Sequence, residues 1–247
     1  MSQSLRHPGY TRLDKGVKTP QAPNFNFSST GYQPIKWVID DMALDGNTSP
    51  CNNSIPIIRY AEVLLSYAEA KRELGEFSEN IWNQTIKPLR ERAGVTSKMP
   101  VSADPYMVDY FMNTVSDPVL LEIRRERGVE LFMENLRWDD DMRWAMGYLL
   151  ERDWHGIYVP AMNVNYDLDG DGKADVCFVT RQPSSTTKGV QYRIIGNDFQ
   201  LTDGTSGNLV SYKNVERRWN DKKYVRPIPT KALNDNPNLG QNPGWEK

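Results

Sequence analysis

The sequence is poor in the residues that build metal centres and nucleophilic hydrolase sites. It has 2 Cys and 2 His in 247 residues, too few for a zinc ribbon or a disulfide scaffold. The two histidines, His7 and His155, are far apart in the sequence, and neither lies near a cysteine. No Gly-x-Ser-x-Gly segment accompanies them. We therefore expect neither a transition-metal site nor a Ser/His/Asp hydrolase.

The cysteines leave two alternatives open. Cys51 and Cys177 form a disulfide if the chain folds in an oxidising compartment and brings them together. Otherwise they are two unrelated thiols, which is the interpretation that we prefer.

The sequence also lacks an excess of either charge, and it has no long apolar runs. The 30 Lys+Arg and 32 Asp+Glu give a net charge of -2, which argues against nucleic-acid binding. No run approaches the roughly 18 apolar residues of a membrane-spanning helix, and the start, Met1–Pro8, lacks the apolar part of a secretory signal. The mean hydropathy is -0.65, yet 7 Trp, 12 Tyr and 7 Phe supply apolar area. We expect a soluble, folded chain.

Residues 1–56 are interrupted by prolines and glycines too often to hold a helical period. We predict an extended, irregular segment that lies against another part of the protein. The pattern changes at Ile57, where apolar residues acquire helical spacing up to Leu74 and Gly75 occupies a typical C′ position.

A second helix is predicted from Ser78 to Ala93, with Pro88 kinking or restarting it. The two helices resemble one tetratricopeptide-type unit, which cannot bury both of its faces alone. We therefore expect an exposed apolar patch, or self-association through it, at Tyr60, Val63, Leu64 and Tyr67.

Asp117 and Pro118 begin the clearest helix, as an N-cap and a first-turn proline. It extends to about Met142 with a break near Asn135. Helical periodicity disappears after Glu151, and short runs predict strands at 176–180, 190–195 and 224–228. The predicted fold class is mainly α: a tetratricopeptide-like helix pair plus a long helix, with extensive irregular loops and a small β element.

Three blocks in order resemble the carboxy-terminal part of the SusD/RagB family of Bacteroidetes outer-membrane lipoproteins. They are Pro56–Ala70 with Leu89–Gly94, Ile123–Leu131 with Asn135–Trp144, and Tyr224–Pro229 with Asn236–Trp245; Thr30–Lys36 fits the stretch before the first block. The resemblance covers roughly residues 30–247. It implies a carboxy-terminal domain over 57–247, with the family's amino-terminal half, signal peptide and lipidated cysteine absent from this chain.

The same resemblance implies a non-enzymatic role at the cell surface, with no organic cofactor. Members of the family capture glycans, or sometimes peptides, for a SusC-like TonB-dependent transporter in the outer membrane. Either a separate amino-terminal half or self-association would complete the fold. The alternative is a helical-repeat module that binds a protein partner and no sugar of its own.

Charged residues on the predicted long helix favour structure over catalysis. Glu126 and Glu130 lie one turn apart, with Arg127 and Arg137 nearby. This spacing predicts ion pairs that keep the carboxylates ionised, whereas a general acid needs a raised pKa. We expect no enzymatic activity, and a glycosidase is the most distant alternative.

The most specific local motif is an acidic loop at residues 167–175. Its carboxylates occupy positions 1, 3, 5 and 9 of an EF-hand-like loop, a glycine occupies position 6, and position 7 offers a backbone carbonyl. Position 12 is Phe178, where an EF-hand has glutamate, and flanking helices are missing. We predict a structural calcium site, with an ion-free acidic turn as the alternative; the predicted ligands are Asp167, Asp169, Asp171, Lys173 and Asp175.

Aromatic residues in the irregular segments are candidates for stacking on sugars. We predict ligand contacts at Trp154, Tyr158, Tyr192 and Tyr10. The alternative for each of them is a place in the core, and that is what helical spacing predicts for Trp138 and Trp144.

Overall fold

Each of the two units of the chain is built from two separate stretches of sequence. The computed structural model describes residues 4–45, 51, 53–96 and 98–246. One unit consists of Met1–Ile58 and Asp153–Val215, and the other of Arg59–Arg152 and Glu216–Lys247. The predicted division after residue 56 lies beside the end of the first stretch, whereas residues 57–247 contribute to both units.

The second unit is helical. Its helices are α1 (Tyr60–Glu73), α2 (Glu79–Gln84), α3 (Ile86–Arg92), α4 (Pro105–Tyr110), α5 (Pro118–Glu130), α6 (Arg137–Arg143) and α7 (Thr230–Asp235). Short 3-10 helices lie at Gly147–Glu151, after α6, and at Asp221–Tyr224, before α7.

Local sequence signals explain where several of these helices begin and end. Gly75 follows α1 with a φ of +72°, the left-handed conformation that glycine adopts at little cost. The break at Thr85 separates α2 from α3 and lies three residues before Pro88, whose ring disfavours a continuous helix. The Asp117 side chain accepts a hydrogen bond from the backbone N–H of Leu120 at 2.8 Å, capping α5.

Two apolar clusters hold the helical unit together. One joins the buried sides of α1, α2 and α3 to α5, and it consists of Ala61, Leu65, Ala68, Trp82, Ile86, Leu89, Val119, Ile123 and Leu131. The other packs α4 and α5 against the segment after α6, through Met107, Phe111, Val115, Leu121, Trp144, Met146 and Leu149. α5 contributes to both clusters and is therefore the central element of this unit.

The first unit is built from short strands. They are β1 (Thr11–Asp14), β2 (Val17–Pro20), β3 (His155–Val159), β4 (Asn165–Tyr166), β5 (Val176–Val179), β6 (Gln191–Ile194), β7 (Phe199–Leu201) and β8 (Gly207–Ser211). β1 and β2 form a hairpin, and the others form two sheets with strand orders β3-β8-β7 and β4-β5-β6. The β5–β6 pair is parallel, whereas the other pairs are antiparallel.

The amino-terminal segment of this unit packs on the sheets. The ring of Phe25 meets that of Phe178 edge-on, with centroids 5.6 Å apart. The backbone N–H of Ile157 donates to the carbonyl of Thr30 at 2.9 Å. These contacts bury Phe25 within the apolar cluster that includes Val159, Val176, Leu201 and Leu209.

The prediction of a mainly α fold is wrong. Of the part of the chain that the structure describes, 30% is helical and 14% is strand. Strands in 176–180 and 190–195 are confirmed as β5 and β6, but the segment 224–228 is not a strand. Its Pro227 has no N–H to donate to a neighbouring strand. The strands β3, β7 and β8 are short, so their sequence pattern is weak, and β3 pairs with a partner far along the chain, β8.

Two further observations concern the membrane and the thiols. No helix among the described residues is both long enough and apolar enough to cross a bilayer.

Cys51 and Cys177 are both free thiols; Cys51 is exposed and Cys177 is buried. This favours the interpretation as two unrelated thiols.

Candidate functional site

The acidic loop between β4 and β5 brings three carboxylates together. One oxygen from each of Asp167, Asp169 and Asp175 lies within 4.8 Å of the other two. Backbone N–H groups hold this arrangement: those of Gly170 and Gly172 donate to Asp167 at 2.6 and 2.8 Å. Three predicted calcium ligands therefore converge.

The other two predicted ligands pair with each other. The ammonium group of Lys173 lies 2.8 Å from Asp171, and the backbone N–H of Lys173 donates to the same carboxylate at 2.8 Å. This pairing lowers the pKa of Asp171 and leaves its carboxylate outside the group of three.

Asp169 is the buried member of the group, at 5% exposure. Burial, followed by the nearby Asp175 carboxylate, raises the pKa of Asp169 above its ordinary value. A raised pKa means that the ionised form is disfavoured in the folded chain. Without a cation, this group's contribution to stability is therefore unfavourable above the ordinary Asp pKa of about 3.9, and it improves as the pH falls toward that value.

The predicted stacking residues lie on separate elements of the first unit. Trp154 and Tyr158, which are 55% and 60% exposed, lie before and within β3. Tyr192 is on β6 in the other sheet, where its hydroxyl oxygen accepts from the backbone N–H of Thr187 at 3.1 Å. Tyr10 is half-buried, and burial raises its pKa. Trp154 and Tyr158 are therefore exposed aromatic side chains. The four predicted residues lie in three separate places along the chain: near β1, at β3 and on β6.

A cavity of about 550 Å³ in the second unit was not predicted as a site. Two tryptophans line it together with polar side chains; the lining is Trp138, Leu150, Glu151, Glu216, Arg217, Arg218, Trp219 and Lys223. We call it the tryptophan cavity. The rings of Trp138 and Trp219 meet at a centroid distance of 6.4 Å. Trp138, predicted as core from its helical spacing, is 43% exposed, so that prediction is wrong.

Packing positions Trp219 at one wall of this cavity. Its ring lies 4.9 Å from that of Tyr224, and it occupies the space that a side chain on Gly147 would fill. Its backbone N–H donates to Glu151. The indole N–H of Trp219 is buried and has no acceptor among the described residues.

The rim of the tryptophan cavity carries both charges. Arg218 and Glu216 form an exposed ion pair at 2.6 Å, and the Lys223 ammonium lies 5.4 Å from the centre of the Trp219 ring. Aromatic walls with a few polar groups are typical of small-molecule sites, whose volumes are about 300–1,000 Å³.

The carboxylates of α5 are paired, but not as the sequence predicted. Arg90 on α3 binds Glu122 at 2.5 Å and Glu126 at 2.7 Å, so the partner comes from another helix. Burial raises the pKa of Glu126 despite this arginine, whereas the sequence predicted ion pairs without a raised pKa. Because both carboxylates bind one guanidinium, their arrangement is that of a structural cluster.

The family comparison identifies the class of protein. The model of the SusD family matches residues 4–245 of the chain. The chain belongs to the SusD family. None of the curated proteins shows a significant sequence match to it.

Two solved structures share its fold. A SusD-like protein from Bacteroides fragilis NCTC 9343, BF3747, has 22% identity and a TM-score of 0.57, over 98% of this chain and 37% of that one. The protein BT4246 has 19% identity and a TM-score of 0.56, over 98% and 35% respectively. This chain thus spans little more than a third of the length of either protein.

Proposed function

We propose that the chain takes part in glycan capture at the outer-membrane surface, without catalysis, beside a SusC-like TonB-dependent transporter. The SusD family consists generally of cell-surface binding lipoproteins, which supports this role. The observation in the chain itself that carries the proposal is the tryptophan cavity.

The chemistry of that cavity suits a sugar. The C–H groups on one face of a pyranose ring pack on an indole, and its hydroxyls bond to polar groups at the rim. Trp138 and Trp219 supply the aromatic surface, and Glu151 and Arg218 supply an acceptor and donors.

We expect Trp219→Ala to weaken glycan binding at least about tenfold, because it removes the stacking surface. Such a loss corresponds to roughly 1.4 kcal/mol. Isothermal titration calorimetry of the chain with maltohexaose, xylohexaose and mannohexaose measures it.

Matched variants locate the site. Tyr106→Ala removes an exposed aromatic ring of α4 that lies outside the cavity lining, and it should leave binding unchanged. Trp154→Ala and Tyr158→Ala test the surface predicted from the sequence. If these two variants abolish binding and Trp219→Ala does not, the tryptophan cavity is not the glycan site. Failure of the unsubstituted chain to bind any glycan of a broad panel would count against the proposed function.

One observation favours the alternative of a protein-interaction module. Of the predicted patch, Tyr60, Val63 and Tyr67 on α1 remain exposed and together offer an apolar face. Leu64 does not belong to this face, because it packs against the core. Self-association through this face should make the apparent mass in analytical ultracentrifugation depend on concentration. A Val63→Lys variant should then sediment as a monomer at all concentrations.

We also propose that Asp167, Asp169 and Asp175 bind calcium. Three carboxylates held within 4.8 Å repel one another unless a cation neutralises them. Because the loop lacks the closing glutamate at position 12, we expect weak affinity, on the order of 10⁻⁴ to 10⁻³ M. The ion would stabilise the connection between β4 and β5.

At 10 mM calcium, this affinity corresponds to about 1.4–2.7 kcal/mol of added stability, or a rise in melting temperature of about 3–11 °C over the chain in chelator. Asp169→Ala should abolish the rise, whereas Asp14→Ala, at an exposed position on β1, should retain it. The rise should also shrink as the pH falls toward the raised pKa of Asp169, because protonation removes a ligand. Equal melting temperatures in calcium and chelator at neutral pH would identify the loop as an ordinary acidic turn.

A further inference from the structure

A second cavity, of about 510 Å³, lies in the helical unit between α1, α5 and the end of α6. It is lined by Ser66, Glu69, Ala70, Glu73, Arg124, Arg127, Arg143 and Trp144. None of these residues lines the tryptophan cavity. We call it the arginine cavity, since three guanidinium groups line it.

Two of its three arginines have complete partners. Nε and Nη2 of Arg127 both donate to Asp140 at 2.8 Å, and Nη1 donates to Ser66 at 3.1 Å. Arg143 donates from Nη1 and Nη2 to Glu69 at 2.7 and 2.5 Å. Asp140 and Glu69 therefore neutralise Arg127 and Arg143.

Arg124 has no such partner. Its side chain is buried, with the residue at 6% exposure. Its guanidinium lies 4.5 Å from the centre of the Trp144 ring and 5.4 Å from that of Phe111. Across the part of the chain that the structure describes, no acceptor binds its Nε or Nη1.

A buried guanidinium without acceptors is costly, because ring contacts replace only part of its hydration. The carboxylates of Glu69 and Glu73 act on Arg124 electrostatically, but neither accepts a hydrogen bond from its Nε or Nη1, and Glu73 is exposed. The arginine cavity thus contains a buried guanidinium with unpaired donors, and an exposed carboxylate at its edge.

We propose that the arginine cavity binds a sugar acid, with the carboxylate of a uronic acid on Arg124. A carboxylate is the planar, two-oxygen acceptor that matches a guanidinium. The cavity is much larger than a carboxylate needs, and Ser66 and Glu73 offer a hydroxyl and an acceptor for the rest of a sugar. This inference rests on the proposed glycan-binding function and names the class of sugar.

The test is calorimetric titration of the full chain with glucuronate, glucose and acetate at one pH and one ionic strength. We expect glucuronate to bind at least tenfold more tightly than glucose or acetate. Arg124→Gln should reduce its affinity at least tenfold. Trp219→Ala should not change it, because Trp219 does not line this cavity.

A second variant, which we expect to bind glucuronate more tightly, gives a result that misfolding of Arg124→Gln cannot explain. Glu73→Gln removes the negative charge that opposes an incoming carboxylate and should tighten glucuronate binding about three- to tenfold. Glu79→Gln removes an equal charge from an exposed position on α2, outside the cavity lining, and should have no effect.

Equal affinities for glucuronate and glucose would overturn the inference, as would glucuronate binding that neither Arg124→Gln nor Glu73→Gln alters. Acetate binding as tight as that of glucuronate would show a bare anion site and overturn the assignment to a sugar. Neutral hexasaccharides that bind at the tryptophan cavity, without any glucuronate binding, would leave the proposed function standing and this inference refuted. Glucuronate binding that depends on Arg124, without any binding of neutral glycans, would support the inference and reject the tryptophan cavity as a glycan site.

Discussion

Replacing Asp140 by alanine should lower the melting temperature of the chain by about 6–20 °C. Asp140 and Arg127 are both buried, and two hydrogen bonds of 2.8 Å join them. Removing one member of a buried ion pair leaves the other charge uncompensated, at a cost of about 3–5 kcal/mol. In a chain of this size, 1 kcal/mol shifts the melting temperature by roughly 2–4 °C.

The neighbouring residue provides the control. Asp139 is on the same helix, α6, but is exposed, so Asp139→Ala should change the melting temperature by little. Differential scanning calorimetry compares the two variants. If both variants have the same melting temperature as the unsubstituted chain, the Arg127–Asp140 pair does not hold α5 and α6 together as the structure indicates.

Gly147→Ala should disrupt the tryptophan cavity by displacing the ring of Trp219. A methyl group at Gly147 would overlap the ring of Trp219, which must then move away. Overpacking of this kind costs about 1–3 kcal/mol, or a fall in melting temperature of roughly 2–12 °C. Since Trp219 is one wall of the cavity, we also expect glycan affinity to fall about as much as in Trp219→Ala.

Gly196→Ala is the matched substitution, because no atom of the described residues, apart from its two chain neighbours, lies within 4 Å of the position that its new methyl group would take. It should change neither melting temperature nor glycan affinity. Binding that survives Gly147→Ala undiminished, with a normal melting temperature, would show that Trp219 is free to relocate without consequence.

Much of the helical unit could be predicted from local sequence signals. The positions of Gly75, Pro88 and Asp117 predicted the end of α1, the interruption between α2 and α3, and the start of α5. Each of these signals acts through the backbone of its immediate neighbours, by a left-handed φ, a missing N–H or a capping side chain. No distant residue is needed to interpret them.

The sheet of β3, β8 and β7 was harder to predict because β3 pairs with a strand far along the chain, β8. β3 contains Gly156, a residue that weakens a strand pattern. Its place is explained by Thr30, whose carbonyl group leaves no room for a side chain there. β8 begins at Gly207, which has a φ of +99°. Neither requirement is visible in the sequence around these glycines.

Of the candidate sites, the one formed by neighbouring residues could be predicted from the sequence, and the one formed by distant residues could not. The spacing of acidic residues and glycines predicted a loop in which Asp167, Asp169 and Asp175 converge, because hydrogen bonds within nine residues shape it. The same spacing could not predict that Lys173 pairs with Asp171. The tryptophan cavity joins Trp138 to Trp219 from stretches 81 positions apart, and helical spacing alone placed Trp138 in the core.

By itself, the sequence determined the end of α1, the interruption between α2 and α3, the start of α5, the acidic loop and the resemblance to the SusD family, since these depend on neighbouring residues or on the order of blocks. It did not determine the end of α5, which was expected at about Met142 and lies at Glu130. Only the tertiary structure decided which charges are neutralised and which aromatic rings line a cavity. Arg124 and Arg127 are three positions apart on α5, yet Asp140 binds Arg127 and no described acceptor binds Arg124. The difference arises because side chains on other elements, not neighbours in the chain, provide the counter-charges and the walls of a buried site.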